Sequence, residues 1–191
     1  MHTTEMPRRL LLASEVLQMV EQGILAEDHS VELIEGELLV VSPQGPPHAS
    51  TVGDLQDALF RAYDGRGIVR CQMPLMAEPH SLPEPDLCVV RGSHRDYYTR
   101  HPDANDVFLV VECSRTSHAL DRRKIGVYAR AGVATYWIVD LVARQIEVHS
   151  APSPLGNYRS KSTFEAGDLI ELPGLGRHIP VSDVLGRELP L

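Results

Sequence analysis

Pro85-Asp86 closes a loop and opens a short apolar run, Leu87-Cys88-Val89-Val90. Twenty-six residues after Asp86, Glu112 ends a second apolar run, Val107-Phe108-Leu109-Val110-Val111. Twelve residues further stands Lys124, on a predicted helix that starts near Asp121. Two carboxylates on neighbouring strand ends with a lysine in reach are what metal-dependent phosphodiester hydrolysis requires. The carboxylates are hard oxygen ligands for Mg²⁺ (or Mn²⁺), and they leave positions open for water and a phosphate. A bound metal lowers the pKa of water and stabilises the charge developing on phosphorus. A charge at the end of an apolar strand is costly to bury alone, so Glu112 needs a cation, a metal or water. The plainer reading pairs Glu112 with an arginine such as Arg115 and makes Asp86 a turn cap.

Lys124 stands out by type, since the chain has 16 arginines and two lysines. A compact ammonium suits the orienting of a water or the neutralising of a transition state. Its alternative is a solvated lysine beside Arg122, Arg123 and Arg130. Glu32 lies in a predicted strand whose neighbours Val31 and Leu33 face the other way. It is either an auxiliary metal ligand or an exposed strand glutamate. His48 follows a proline-rich loop and starts a helix, where it either meets phosphate, moves a proton or caps the helix. Ser114, His118 and Asp121 fall at i, i+4 and i+7, but no nucleophile-elbow glycines flank Ser114, which argues against a hydrolytic triad.

These residues need a scaffold. Ser14 to Gln22 reads as a helix, capped by Ser14 and ended by Gly23. Val31–Ile34 and Glu37–Val41 flank Glu35-Gly36, a two-residue hairpin signal. A helix over His48 to Tyr63 puts Val52, Leu55, Leu59 and Tyr63 on one face. Ile68 to Met76 predicts one or two strands, bent or at an edge because of Pro74. Leu87–Val90 and Val107–Cys113 are nearly all apolar, as central strands covered on both faces must be. Leu120 to Ala131 predicts a helix, and Tyr136–Val139 and Gln145–Val148 predict strands. A further strand pair is expected near Tyr158–Lys161 and Asp168–Glu171, then a closing helix over Val181 to Leu185. The sum is an α/β (α+β) mixed sheet with helices on its faces and one helical crossover.

At 191 residues the chain is expected to form a single domain, with its core over about residues 14–185. No apolar run approaches the roughly 18 residues of a membrane span. The N-terminus resembles a signal peptide only briefly, because Glu15 and Gln18 interrupt its apolar stretch, so a cytoplasmic location is expected. Cys71, Cys88 and Cys113 are odd in number and form no Cys-x-x-Cys pair, which favours buried thiols. The net charge of −8 argues against a protein that strongly coats nucleic acid. Between Cys88 and Arg130, however, eight Lys/Arg face five Asp/Glu. A local basic face is therefore expected on an acidic protein.

The order of several segments carries a resemblance. They are Glu32-Leu33-Ile34-Glu35-Gly36-Glu37-Leu38, Ser42-Pro43 with His48, Pro85-Asp86-Leu87, Val110-Val111-Glu112-Cys113-Ser114, Tyr128-Ala129-Arg130-Ala131-Gly132-Val133 and Tyr136-Trp137-Ile138-Val139-Asp140. Together they resemble the Uma2 family, also known as DUF820, over about residues 14–185. The resemblance implies the restriction-endonuclease-like fold of the PD-(D/E)xK superfamily. An N-terminal helix and β-hairpin would precede its central sheet, and a C-terminal strand extension would follow. It implies Asp86 as the motif aspartate and Glu112 as the motif glutamate. Where the superfamily pattern has lysine two residues after the glutamate, Ser114 stands here, and Lys124 matches a lysine moved to the following helix. The family pattern places that lysine four residues after the aspartate matching Asp121; here it is three, with its spacing to Tyr128 kept.

The expected activity is Mg²⁺- or Mn²⁺-dependent endonucleolytic hydrolysis of DNA. Asp86, Glu112 and Lys124 are the expected catalytic residues, and Asp86, Glu112 and Glu32 the expected metal ligands. His48, Arg115, Arg122 and the arginines of the 91–100 loop are expected to contact the substrate. A non-catalytic DNA-binding or oligomerisation scaffold, or a phosphohydrolase for a small substrate, are the rival readings. A homodimer is compatible with cutting two strands, and no membrane association is expected.

Overall fold

The computed structural model describes residues 8–26, 31–41, 43–114 and 118–185, the side chains of 118 and 119 excepted. Strands and helices follow in the order α1 (Ala13–Glu21), β1 (Val31–Ile34), β2 (Glu37–Val40), α2 (Pro46–Ala62), β3 (Ile68–Cys71) and β4 (Leu87–Val90). Then come β5 (Val107–Ser114), α3 (His118–Ala131), β6 (Thr135–Asp140), β7 (Gln145–Ser153), β8 (Asn157–Glu165), β9 (Leu169–Leu172) and β10 (Arg177–Pro180). A six-stranded sheet runs β3-β4-β5-β6-β7-β8. Its neighbours are antiparallel except β5 and β6, which are parallel and joined over one face by α3. That is the expected single helical crossover, because parallel neighbours cannot be linked by a tight turn. Two small hairpins, β1-β2 and β9-β10, stand apart from the sheet.

Continuous apolar runs make the centre. Every residue of β4 is buried, as is every residue of β5 except Phe108, which is half-buried. Alternate residues supply two layers. Leu87, Val89, Leu109, Val111, Trp137 and Val139 pack beneath Val52, Leu55, Leu59 and Tyr63 of α2. Cys88, Val110, Tyr136 and Ile138 pack with Tyr128 of α3. Leu109 is fully buried in the first layer. Leu109→Ala is expected to lower unfolding free energy by about 2–5 kcal/mol, the range for such cavity-forming changes. A urea titration checks it; a loss below about 1 kcal/mol would mean that this layer is loosely packed.

The N-terminal hairpin forms as its turn residues predict. Glu35 and Gly36 both have positive φ, 52° and 83°. This is what a two-residue turn needs to match strand twist. The Glu35 backbone amide donates to Ser81 Oγ at 3.0 Å, and that of Gly36 to the His80 carbonyl at 2.7 Å. A Cβ at Gly36 would also fall 2.5 Å from Leu10 Cβ. Glycine is thus required there for both backbone angle and space.

Three expected elements differ. Strand β3 stops at Cys71, because Gln72 turns into the left-handed region at φ 49°. The segment at residues 169–172 does not pair with β8. It pairs with β10, and β8 instead pairs with β7 along its length. Local patterning identifies a strand but not its partner. The closing helix is only a 3-10 turn at Val181–Asp183. All three cysteines are free thiols, with Cys88 and Cys113 buried. Burial pushes the Cys88 thiol up to about 12. No helix among the described residues is long and apolar enough to cross a membrane.

Candidate active site

Antiparallel pairing puts Leu87 opposite Val111, so Asp86 and Glu112 fall on adjoining positions of two strands. The period of two then points Glu112 away from the α2 layer and towards α3. The Asp86 amide donates to Glu112 Oε2 at 3.4 Å. The two residues are 5% and 4% exposed. Burial on this scale demands partners, and each acid has its own set.

Asp86 is held from three sides. Gln44 Nε2 donates to Oδ1 at 3.0 Å. His48 Nε2 lies 3.0 Å from Oδ2, and the Cys113 amide donates to the same oxygen at 2.8 Å. Gln44 leads into α2 and His48 stands in its first turn, where Pro46 and Pro47 start the helix without needing backbone donors. Burial works against the charged forms of both Asp86 and His48. Their mutual attraction outweighs it, so the carboxyl is held below its usual value and the imidazole above.

Glu112 faces a different neighbour. Lys124 Nζ donates to its Oε1 at 2.9 Å, and the Tyr128 hydroxyl donates to the same oxygen at 2.9 Å. Lys124 is 2% exposed and also meets Glu32. Its directed bond goes to Glu32 Oε1 at 3.1 Å. Oε2 is nearer, at 2.8 Å, but at an angle outside hydrogen-bonding range. Burial raises Glu112 above the ordinary carboxylate range, with Lys124 opposing and Asp86 and Glu32 reinforcing the rise. Burial also works against the Lys124 ammonium, yet two facing carboxylates keep it charged and raise its pKa.

The expected catalytic trio is therefore brought together, and Glu32 joins it through the lysine. Glu32 is 5% exposed, not an open strand glutamate. The hairpin that carries it is clamped to α3 by ion pairs. Arg123 meets Glu35 at 2.9 Å and Glu37 at 3.1 Å, and Arg130 meets Glu35 at 2.8 Å and Glu78 at 2.9 Å. Glu112 pairs with Lys124, and Arg115 lies outside the described residues. Arg122 is largely exposed, with Nη2 3.8 Å from Glu147 Oε1. In the 91–100 loop, Arg91 sits 4.3 Å over the Phe108 ring and Arg100 is paired with Asp106 at 2.6 Å. Both are engaged by residues 105–108, whereas Arg95 is exposed and has no ion-pair partner among the described residues. Ser114 and Asp121 are buried, and the His118 side chain lies outside the described residues.

Two contributors escaped the sequence reading. Tyr128 is one turn after Lys124, and the i, i+4 spacing puts both on one helix face. That spacing was the available signal. Gln44 lies in an irregular loop with no periodicity to single it out.

The donor set fits a hard divalent cation. It offers two buried carboxylates from adjoining strand ends, and among the described residues Glu112 Oε2 has only the long contact to the Asp86 amide. Among the described residues no three His, Cys, Asp or Glu side chains converge to cage an ion. Mg²⁺ does not require a full protein cage, since one or two carboxylates with waters and phosphate oxygens usually suffice.

The mixed sheet crossed once by α3 is the expected restriction-endonuclease-like fold. The model of the Uma2 family, described as "Putative restriction endonuclease", matches residues 13–182. The chain belongs to the Uma2 family. The crystal structure of a "putative nuclease belonging to DUF820" from Anabaena variabilis ATCC 29413 superposes with a TM-score of 0.71 at 18% identity, over 92% of this chain and 97% of that one. At that identity the likeness is one of fold. No curated protein matches the chain.

Proposed function

We propose that the protein is a divalent-metal-dependent endonuclease that hydrolyses phosphodiester bonds of DNA. The carrying observation is the pair Asp86 and Glu112, buried side by side with the Lys124 ammonium on Glu112. Asp86 and Glu112 would hold Mg²⁺ or Mn²⁺. When bound, the metal acidifies a water and offsets negative charge on the phosphate. Gln44, His48 and the Cys113 amide keep the Asp86 carboxylate turned towards the site. Such outer contacts commonly hold ligands in place. Glu32 and Glu112 hold Lys124, whose ammonium orients the attacking water and faces the charge that develops in the transition state. Tyr128 braces Glu112. Arg122, largely exposed on α3 and only loosely paired with Glu147, would meet a phosphate from the strand flanking the cut.

Metal binding is testable without catalysis. Ligand at a hundredfold over its dissociation constant stabilises a folded protein by about 2.7 kcal/mol. For a chain of this size that is a rise in melting temperature of about 5 °C or more. Mn²⁺ is expected to give this rise and EDTA to reverse it. An unchanged melting curve, with no heat on titration of Mn²⁺, would favour a scaffold with no working site.

A further inference from the structure

Strand β8 ends the six-stranded sheet, and no described strand pairs with its outer edge. It is nine residues long, and all but Tyr158 and Phe164 are exposed. A long edge with free amides and carbonyls is a template for another strand. Natural edges are usually blunted by a charge, and Lys161 sits near the middle of this one. Yet Lys161 Nζ is drawn back onto Glu147 Oε1 at 2.9 Å, on the neighbouring β7. Arg159 and Glu165 have no ion-pair partner among the described residues, and both are exposed.

We propose that β8 pairs antiparallel with β8 of a second copy of the chain, about a two-fold axis at Ser162. The charges select this register. With the axis at Ser162, Arg159 of each copy lies opposite Glu165 of the other, and Lys161 lies opposite Thr163. The contact repeats twice by symmetry, as an isologous interface must. Opposite charges facing each other across strands stabilise the pair, and like charges destabilise it. An axis at Lys161 would set that lysine against itself. An axis at Ser160 would set Arg159 against Lys161. An axis at Thr163 would also match charges, Lys161 with Glu165, but it overlaps only residues 161–165 of the strand. The axis at Ser162 overlaps residues 159–165, with only the Arg159 and Glu165 side chains meeting at its ends because the Glu165 amide and carbonyl are bonded to Asp168 of its own turn, and it leaves Lys161 with Glu147. Two sheets then become one of twelve strands, and each copy keeps its catalytic residues within its own chain. The interface stands independently of the nuclease reading.

The test is sedimentation equilibrium of the native chain and three variants: Arg159→Glu, Glu165→Arg and the double exchange. The native chain is expected to dimerise below about 100 µM, which corresponds to a modest association free energy. Either single reversal puts two like-charged pairs in the interface and is expected to weaken the dimer about tenfold or more. The double exchange restores opposite charges and is expected to recover native association. Both positions are exposed, so thermal melts of the monomers are expected to coincide. A native chain that stays monomeric overturns the proposal. So do single reversals that associate like the native chain, or a double exchange that stays as weak as the singles.

Discussion

Asp86→Asn is expected to cut supercoiled plasmid DNA in Mg²⁺ about a thousandfold more slowly than the native chain. The change keeps the size of the side chain and an oxygen for the Cys113 amide, but it removes the charge that holds the metal. Metal chemistry supplies several kcal/mol of transition-state stabilisation. Losing about 4 kcal/mol corresponds to about three powers of ten in rate. The same variant is expected to lose the Mn²⁺-induced rise in melting temperature while keeping a native circular dichroism spectrum. These two readouts separate a lost ligand from a lost fold. If Asp86→Asn cuts within about tenfold of the native rate, the metal is held elsewhere.

Lys124→Met is expected to be the most destabilising single change at the site. It leaves Glu32 and Glu112 buried without their shared cation, and breaking a buried pair from one side costs about 3–5 kcal/mol. The sign of its pH dependence follows from the carboxylates. Glu112 already has its pKa raised in the fold, chiefly by burial. Without the ammonium that opposes the rise, the folded state holds protons that the unfolded state has released. Stability then falls as pH rises above the ordinary glutamate range. Native Glu112 is itself raised to about 8, so the gap in melting temperature between native and Lys124→Met proteins is expected to stay level from pH 5 to pH 7 and to widen as pH rises above about 8. Adding Glu32→Gln removes one of the stranded charges and is expected to recover part of the lost stability, while DNA cleavage stays absent. A gap that stays flat with pH would show that the two acids do not depend on Lys124.

The strands that carry the acids were legible because they are covered on both faces. Leu87–Val90 and Val107–Val111 have to be continuously apolar, and a carboxylate at the end of each breaks the pattern visibly. The helix bearing Lys124 was legible from its periodicity and the glycine that ends it. The partner of each outer strand was not. Residues 157–165 are mostly polar, and alternation alone does not say that they pair with β7 and not with residues 169–172. Glu32 was equally ambiguous. Its alternation with Val31 and Leu33 describes a half-exposed strand, and only the docking of the hairpin against α3 buries it. Gln72 and Gln44 act through a single backbone turn and a single loop contact, which leave no repeating signature.

The chain by itself determined which acids could do chemistry and which apolar runs would hold them at adjoining strand ends. Those are local properties: an apolar run needs burial, and a charge within it needs a reason. Lys124 was the member that sequence spacing left open, being one residue short of the family register. Tertiary structure decided its place, not its role. The ammonium is fixed by Glu112, twelve residues away, and by Glu32, 92 residues away. Both bonds exist because the clamped hairpin and α3 meet over the sheet. A buried cation takes its position from the carboxylates that surround it, and those come together only when distant segments pack.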